Sequence, residues 1–178
     1  MKSRIFTWIT GMTLFAAVAM PVAQEQSAQE ESATQEQKKE PSRYTVKDLG
    51  TLGGTYSYAF GINGAGQIAG GAATPAQTDG LSTTAFLWTK RKGMINLGTL
   101  GPPAFPACPT CNSGGAAVGA GGEVAIGSEI TTPDPNGEDF CQYGTHRECL
   151  GAIWKNGVMT ALPTLPDDNN ADVFGSTV

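Results

Sequence analysis

One five-residue phrase returns three times along the chain: Asp48-Leu-Gly-Thr-Leu52, Asn96-Leu-Gly-Thr-Leu100 and Ala161-Leu-Pro-Thr-Leu165. Such a beat marks stacked copies of one supersecondary unit, none of which can bury its apolar face alone. Two further blocks recur in the same order. Ile62-Asn-Gly-Ala-Gly-Gln-Ile-Ala69 is answered by Val118-Gly-Ala-Gly-Gly-Glu-Val-Ala125, and Ala85-Phe-Leu-Trp88 by Ala152-Ile-Trp154. The offsets between matching blocks grow from 48 to 56 to 66 residues. The second copy therefore carries two insertions, one between Gly101 and Gly115 and one between Ile130 and Leu150, and insertions in repeats map to surface loops.

Each unit reads as two hairpins. Tyr58 to Ile62 and Gln67 to Gly71 flank Asn63-Gly64-Ala65-Gly66, whose Asn-Gly start accepts the positive φ of a tight turn. Thr84 to Thr89 and Met94 to Leu97 flank Lys90-Arg-Lys-Gly93, and the matching turn in the second unit is Lys155-Asn156-Gly157. The expected fold is all-β: tandem four-stranded β repeats forming an incomplete β-propeller. The first unit covers about 44–100 and the second about 101–165. The third is cut short, because Phe174-Gly175 matches Phe60-Gly61 and the sequence stops at Val178. A propeller closes with about four or more blades, so the chain is expected to be a piece of a longer protein or to assemble with other chains. The repeat core is expected at Leu49, Leu52, Leu97, Leu100, Leu162 and Leu165. Trp88 and Trp154 are expected there too, since an aromatic at one fixed place per repeat fills space between sheets more readily than it forms a ligand platform.

Ahead of the repeats, Lys2 and Arg4 precede an apolar run from Ile5 to Met20 that ends among small residues. That is the layout of a signal peptide over 1–23, cut after Ala19 or Ala23. The run falls short of the roughly 20 apolar residues that span a bilayer, and no later stretch is apolar enough to do so. Residues 24–43 are rich in Gln, Glu, Ser, Ala and Lys with almost no large apolar side chain, so they read as a disordered linker.

In their detail, Asp48-Leu-Gly-Thr-Leu-Gly-Gly54, Ala59-Phe-Gly-Ile-Asn-Gly-Ala-Gly-Gln-Ile-Ala-Gly70 and Ala85-Phe-Leu-Trp88 resemble the extracellular HAF repeat family. Its units carry a His-Ala-Phe signature before such a Trp. Thr84 stands where that His would be, and Gly151-Ala152-Ile153 replaces the signature in the second unit. The resemblance implies export and a repetitive β fold. It brings no catalytic residue.

All four cysteines fall inside the insertions: Cys108 and Cys111 in the first, Cys141 and Cys149 in the second. An even count in an exported chain reads as disulfides, most simply Cys108 with Cys111 and Cys141 with Cys149, among three pairings. A structural zinc and a redox dithiol are the alternatives for Cys-Pro-Thr-Cys; the βαβ context of the usual redox motif is not indicated. The lone histidine, His146, reads as a solvated loop side chain. Asp134-Pro-Asn136-Gly-Glu138-Asp139 and Asp167-Asp168-Asn169 could offer oxygens to calcium, but the spacing fits no twelve-residue calcium loop, and solvated turns are the plainer reading. No catalytic or cofactor-binding motif appears, and no cofactor is expected. The net charge is −5 and the only basic run is Lys90-Arg-Lys92, so nucleic acid is not the expected partner. The expected role is an exported binding or interaction module, secreted, periplasmic or on the cell surface, for an extracellular ligand or protein. The alternatives are a hydrolase using loop carboxylates and a structural envelope or adhesive protein.

Overall fold

The computed structural model describes residues 44–173. The signal peptide over 1–23, the linker over 24–43 and the Phe174-Gly175 match lie outside the described residues. The sheets belong to the unit Val46–Val178.

Eight strands form two four-stranded antiparallel sheets, each a simple meander. The first contains β1 (Ser57–Ile62), β2 (Ile68–Ala72), β3 (Thr84–Thr89) and β4 (Gly93–Gly98). The second contains β5 (Ser113–Val118), β6 (Val124–Pro133), β7 (Arg147–Lys155) and β8 (Val158–Ala161). One repeat unit makes one sheet. The registers coincide as well: Ile68 faces Trp88 as Val124 faces Trp154. Both inner hairpins slip by one residue at the same place, between Ala59 and Gly61 and between Gly115 and Ala117, so Phe60 and Ala116 are matching bulge residues.

The turns follow from local chemistry, with one correction. In the first hairpin positive φ falls on Gly66 (71°), not on Asn63-Gly64. Asn63 instead supplies its Oδ1 to the amides of Ala65 (3.1 Å) and Gln67 (3.0 Å), closing the turn with its side chain. Asn156 and Gly157 do both take positive φ, as a two-residue hairpin loop demands. Because the strands alternate in direction, these tight turns gather at one end of the sheets. The long connections 73–83, 99–112 and 134–146, which include both insertions, gather at the other.

The sheets stack face to face through β5. Ala69, Ala85 and Leu87 of the first sheet meet Val124, Ile126, Leu150 and Ala152 of the second, with Leu97, Leu100 and Val118 completing one core. The backbones approach closely here. A methyl at Gly61 would stand 2.9 Å from Ala117 Cα, and one at Gly115 would stand 3.0 Å from Gly70 N. The matching turns also touch, since Asn63 Nδ2 donates to Gly119 O at 2.8 Å.

Of the repeat positions, Leu97 (8% exposed) and Leu100 (2%) lie between the sheets, with Trp154 packed partly against them. Trp88 (8%) lies on the opposite face of the first sheet, beneath Leu49 and Leu52, with the Lys47 ammonium 5.4 Å from its ring centroid. Leu162 and Leu165 differ from the core expectation: they are 39% and 73% exposed. They hold the places in the second unit that Leu97, within β4, and Leu100, just after it, hold in the first, but the described residues after them form no strand to close over them.

The chain nevertheless turns onto the second sheet where a third unit would begin. Ser113, the first residue of β5, donates its amide to Thr83 O at 2.9 Å. Ala171 repeats that bond to Cys149 O at 2.8 Å, and Cys149 is the position equivalent to Thr83.

Candidate binding cleft at the loop end

A cleft of about 530 Å³ opens where the innermost strands meet the long loops, lined in part by Tyr58, Phe60, Leu81, Gln142, Tyr143 and Asp172 over a floor of Gly114 and Gly115. Each of these side chains has a local reason for its place. Tyr58 on β1 is fixed by its hydroxyl, 2.9 Å from Thr83 Oγ1. Phe60 is the bulge residue, and the slip in register leaves it 67% exposed, with its ring edge-on to Tyr58 at a centroid distance of 5.0 Å. Leu81 is also exposed, at 58%.

Tyr143 arrives from the second insertion. Cys141 and Cys149 form a disulfide, Cα atoms 6.0 Å apart, that ties the loop back to β7 two residues before Tyr143. Between them Gln142 adopts a φ of 60°, a conformation ordinarily left to glycine, and its amide bonds Asp139 O at 3.0 Å. A Cβ on Gly114 would sit 3.1 Å from the Tyr143 hydroxyl, so the floor must stay bare for the phenol to seat. Burial pushes that phenol well above its usual range, with the nearby Tyr58 as a smaller contribution. Asp172 is the only acid among the described lining residues, and burial raises its carboxyl above the ordinary value while the Val173 amide, 2.7 Å away, opposes the shift. A methyl at Gly127 would collide with Asp172 Oδ1.

The loops around the cleft are joined by two buried acids. Glu129 on β6 is 1% exposed. Its Oε2 accepts from the Asn112 amide (2.8 Å) and Nδ2 (3.0 Å), and its Oε1 accepts from Thr145 Oγ1. It thus holds the end of the first insertion against the end of the second. Asp134 does the same between the second insertion and the following segment. Its Oδ1 accepts from the amides of Asn136 (2.8 Å) and Glu138 (3.0 Å), and its Oδ2 from Asn169 Nδ2 and Asn170 Nδ2, both at 2.6 Å. At 7% exposure Asp134 is not the solvated turn residue its surroundings suggest, whereas Asp167 and Asp168 are exposed.

The Glu138 amide, first among these donors, holds the Asp134 carboxyl below the ordinary range. A lowered folded pKa contributes stability that is present above the unfolded value, about 3.9, and is lost as pH falls through the folded one. Acid titration of the folded chain should therefore show loss of stability below about pH 4, and Asp134→Asn should flatten that limb. An unchanged acid limb in the variant would remove Asp134 from the account.

The remaining site expectations fall elsewhere. Cys108 and Cys111 form the second disulfide, Cα atoms 5.3 Å apart, in the first insertion. His146 is exposed, with Nδ1 donating to Gly137 O at 2.9 Å, and does not line the cleft. No group of three His, Cys, Asp or Glu side chains that could hold a metal ion occurs among the described residues, nor any helix long and apolar enough to cross a membrane. Lys90, Arg91 and Lys92 lie exposed at the tight-turn end, away from the cleft. No protein-family model, curated protein or solved structure matches the chain.

Proposed function

We propose that the chain is an exported binding module whose ligand seats in the loop-end cleft. The observation that carries this reading is the wall of half-buried Tyr58 and exposed Phe60, which lines one cleft with Asp172 over a glycine floor. Clefts of this size with a few convergent polar groups are where small ligands bind. The aromatic and leucine side chains favour a ligand with a flat apolar face. Asp172 and Gln142 favour one that also carries a hydrogen-bond donor. Paired-carboxylate hydrolysis is less well supported, because it needs two acids about 5 to 10 Å apart and Asp172 is the only described lining acid.

Two disulfides fit folding in an oxidising compartment, in keeping with the signal-peptide reading and the HAF resemblance. The head-to-tail stacking of equivalent sheets, and the start of a third turn at Ala171, support an array of propeller type.

The test is a titration of the folded chain with a panel of neutral oligosaccharides and aromatic amines, read by tyrosine fluorescence. Phe60→Ala should weaken any probe that saturates the signal at least tenfold, about 1.4 kcal/mol, without moving the melting temperature. Equal affinity in wild type and variant, or saturation by none of the panel, would overturn the assignment of this surface.

A further inference from the structure

A second cleft, of about 450 Å³, opens on the first insertion. Cys108 and Cys111 form part of its wall, so the turn that carries the bridge borders solvent although the residues are only 8% and 3% exposed. The pair spans two residues, Pro109 and Thr110, and the Cys111 amide donates to Cys108 O at 3.2 Å to close the turn.

Arg147, at the start of β7, points its guanidinium into this turn. Nη1 donates to Thr110 O at 3.0 Å and Nη2 to Thr110 Oγ1 at 3.1 Å, and with the fork so fixed Nη1 lies 3.4 Å from both Cys108 Sγ and Cys111 Sγ. A disulfide sulfur is a weak acceptor and gains little from a cation. A thiolate gains a great deal, and a guanidinium beside a Cys-x-x-Cys pair lowers the thiol pKa. The arrangement therefore suits the reduced pair better than the oxidised one.

The second disulfide lacks this company. Cys141 is half-buried in the wall of the first cleft, but Cys149 is fully buried with its backbone carrying Ala171, and no side-chain cation is hydrogen-bonded to either sulfur among the described residues. The first bridge is also the poorer staple, since it closes the shorter loop. The insertion is anchored without it, by Thr110 on Arg147 and by Asn112 on Glu129.

We propose that Cys108–Cys111 is a reversible redox site that exchanges with thiols entering through this cleft, Arg147 holding the departing thiolate. An external thiolate attacks one sulfur and forms a mixed disulfide, and the Cys108–Cys111 bond breaks with its electron pair leaving on the other sulfur, beside the guanidinium. A second external thiolate attacks the outer sulfur of the mixed disulfide and releases the second cysteine. The protein pair gains two electrons and two thiols become one disulfide; the second cysteine takes up a proton from solvent. Two other charged groups face this region. Asp79 lines the same cleft with its carboxylate engaged by the amides of Leu81 and Ser82, and Glu129 is engaged by Asn112. Both oppose a thiolate, and Arg147 is the group in contact with the sulfurs.

The experiment equilibrates the full chain with graded ratios of reduced to oxidised glutathione, traps thiols by alkylation and maps them by mass spectrometry. Cys108 and Cys111 should open at a ratio at least tenfold lower than Cys141 and Cys149, with the far-ultraviolet spectrum unchanged. Alkylation of the reduced pair should show a pH midpoint below the ordinary thiol value of about 8.5. Arg147→Gln should raise that midpoint by about one unit, and Arg147→Lys should restore part of the difference. Simultaneous opening of both pairs, or a wild-type midpoint at or above the ordinary value, overturns the proposal. So does a folded Arg147→Gln chain with an unmoved midpoint. If Arg147→Gln does not fold, the wild-type midpoint and the order of opening decide.

Discussion

Glu129→Ala is expected to lower the free energy of unfolding by about 3 kcal/mol, read from the shift of a urea melt. The carboxylate is 1% exposed and accepts three donors: the Asn112 amide, Asn112 Nδ2 and Thr145 Oγ1. Alanine leaves these donors in a space from which water is excluded, and each unsatisfied buried group costs about 1 to 3 kcal/mol. The Thr145 hydroxyl can rotate toward another acceptor, so the sum falls below three full penalties. Glu129→Gln keeps one oxygen but turns an NH₂ toward one of the donor groups, and should cost less than alanine. Because Asn112 ends one insertion and Thr145 the other, the loss extends beyond global stability. The loop carrying Tyr143 should loosen, and any ligand of the Phe60 cleft should bind more weakly to Glu129→Ala at temperatures where the chain is still folded. A cost below about 1 kcal/mol would show that water reaches Asn112 and that Glu129 does not join the loops.

Sequence periodicity reveals the sheets because each hairpin is local. Asn156-Gly157 sets a two-residue turn by itself, and the alternation on either side of it makes the strands. The repeat carries the register from one unit to the next, so the equivalence of Trp88 and Trp154 is legible in the sequence alone. The cleft is far less legible. Phe60 resembles any strand aromatic until the slip at Ala59–Gly61 turns it outward, and a bulge has no residue signature of its own here. Tyr143 gains its place from a disulfide and a bare glycine more than two dozen residues away in sequence, Gly114. Asp134 lies in a run of Asp, Asn, Gly and Pro that reads as a solvated turn, and only the arrival of Asn169 and Asn170 buries it. Glu129 alone left a local trace. It is the one charge between Val124 and Ile130, in a strand otherwise apolar or small, and a lone acid in such a strand signals a partner of high sequence separation.

Ile126→Ala should destabilise the chain by about 3 kcal/mol, and Ala152→Phe added to it should recover 1 kcal/mol or more. The reason lies in how the two sheets fill the same position. In the first sheet Gly70 faces Phe86 across β2 and β3, and in the second Ile126 faces Ala152 across β6 and β7. The small and large partners have exchanged strands while the repeat register is unchanged. Ile126, Ala152 and Phe86 are all 0% exposed, so neither sheet has spare volume. Truncating Ile126 removes buried methylenes and leaves a cavity beside Ala152. A phenyl grown from Ala152 would enter that cavity from the direction Phe86 already uses in the first sheet. In the wild-type background the same Ala152→Phe change has nowhere to go and should cost about 1 to 3 kcal/mol by overpacking. The sign reversal between backgrounds is the discriminating result, measured by urea melts of the four chains of the cycle. Additive costs would mean that the two sheets, though equal in register, do not share a packing plan, and that matching positions in this repeat cannot be read across from one unit to the next.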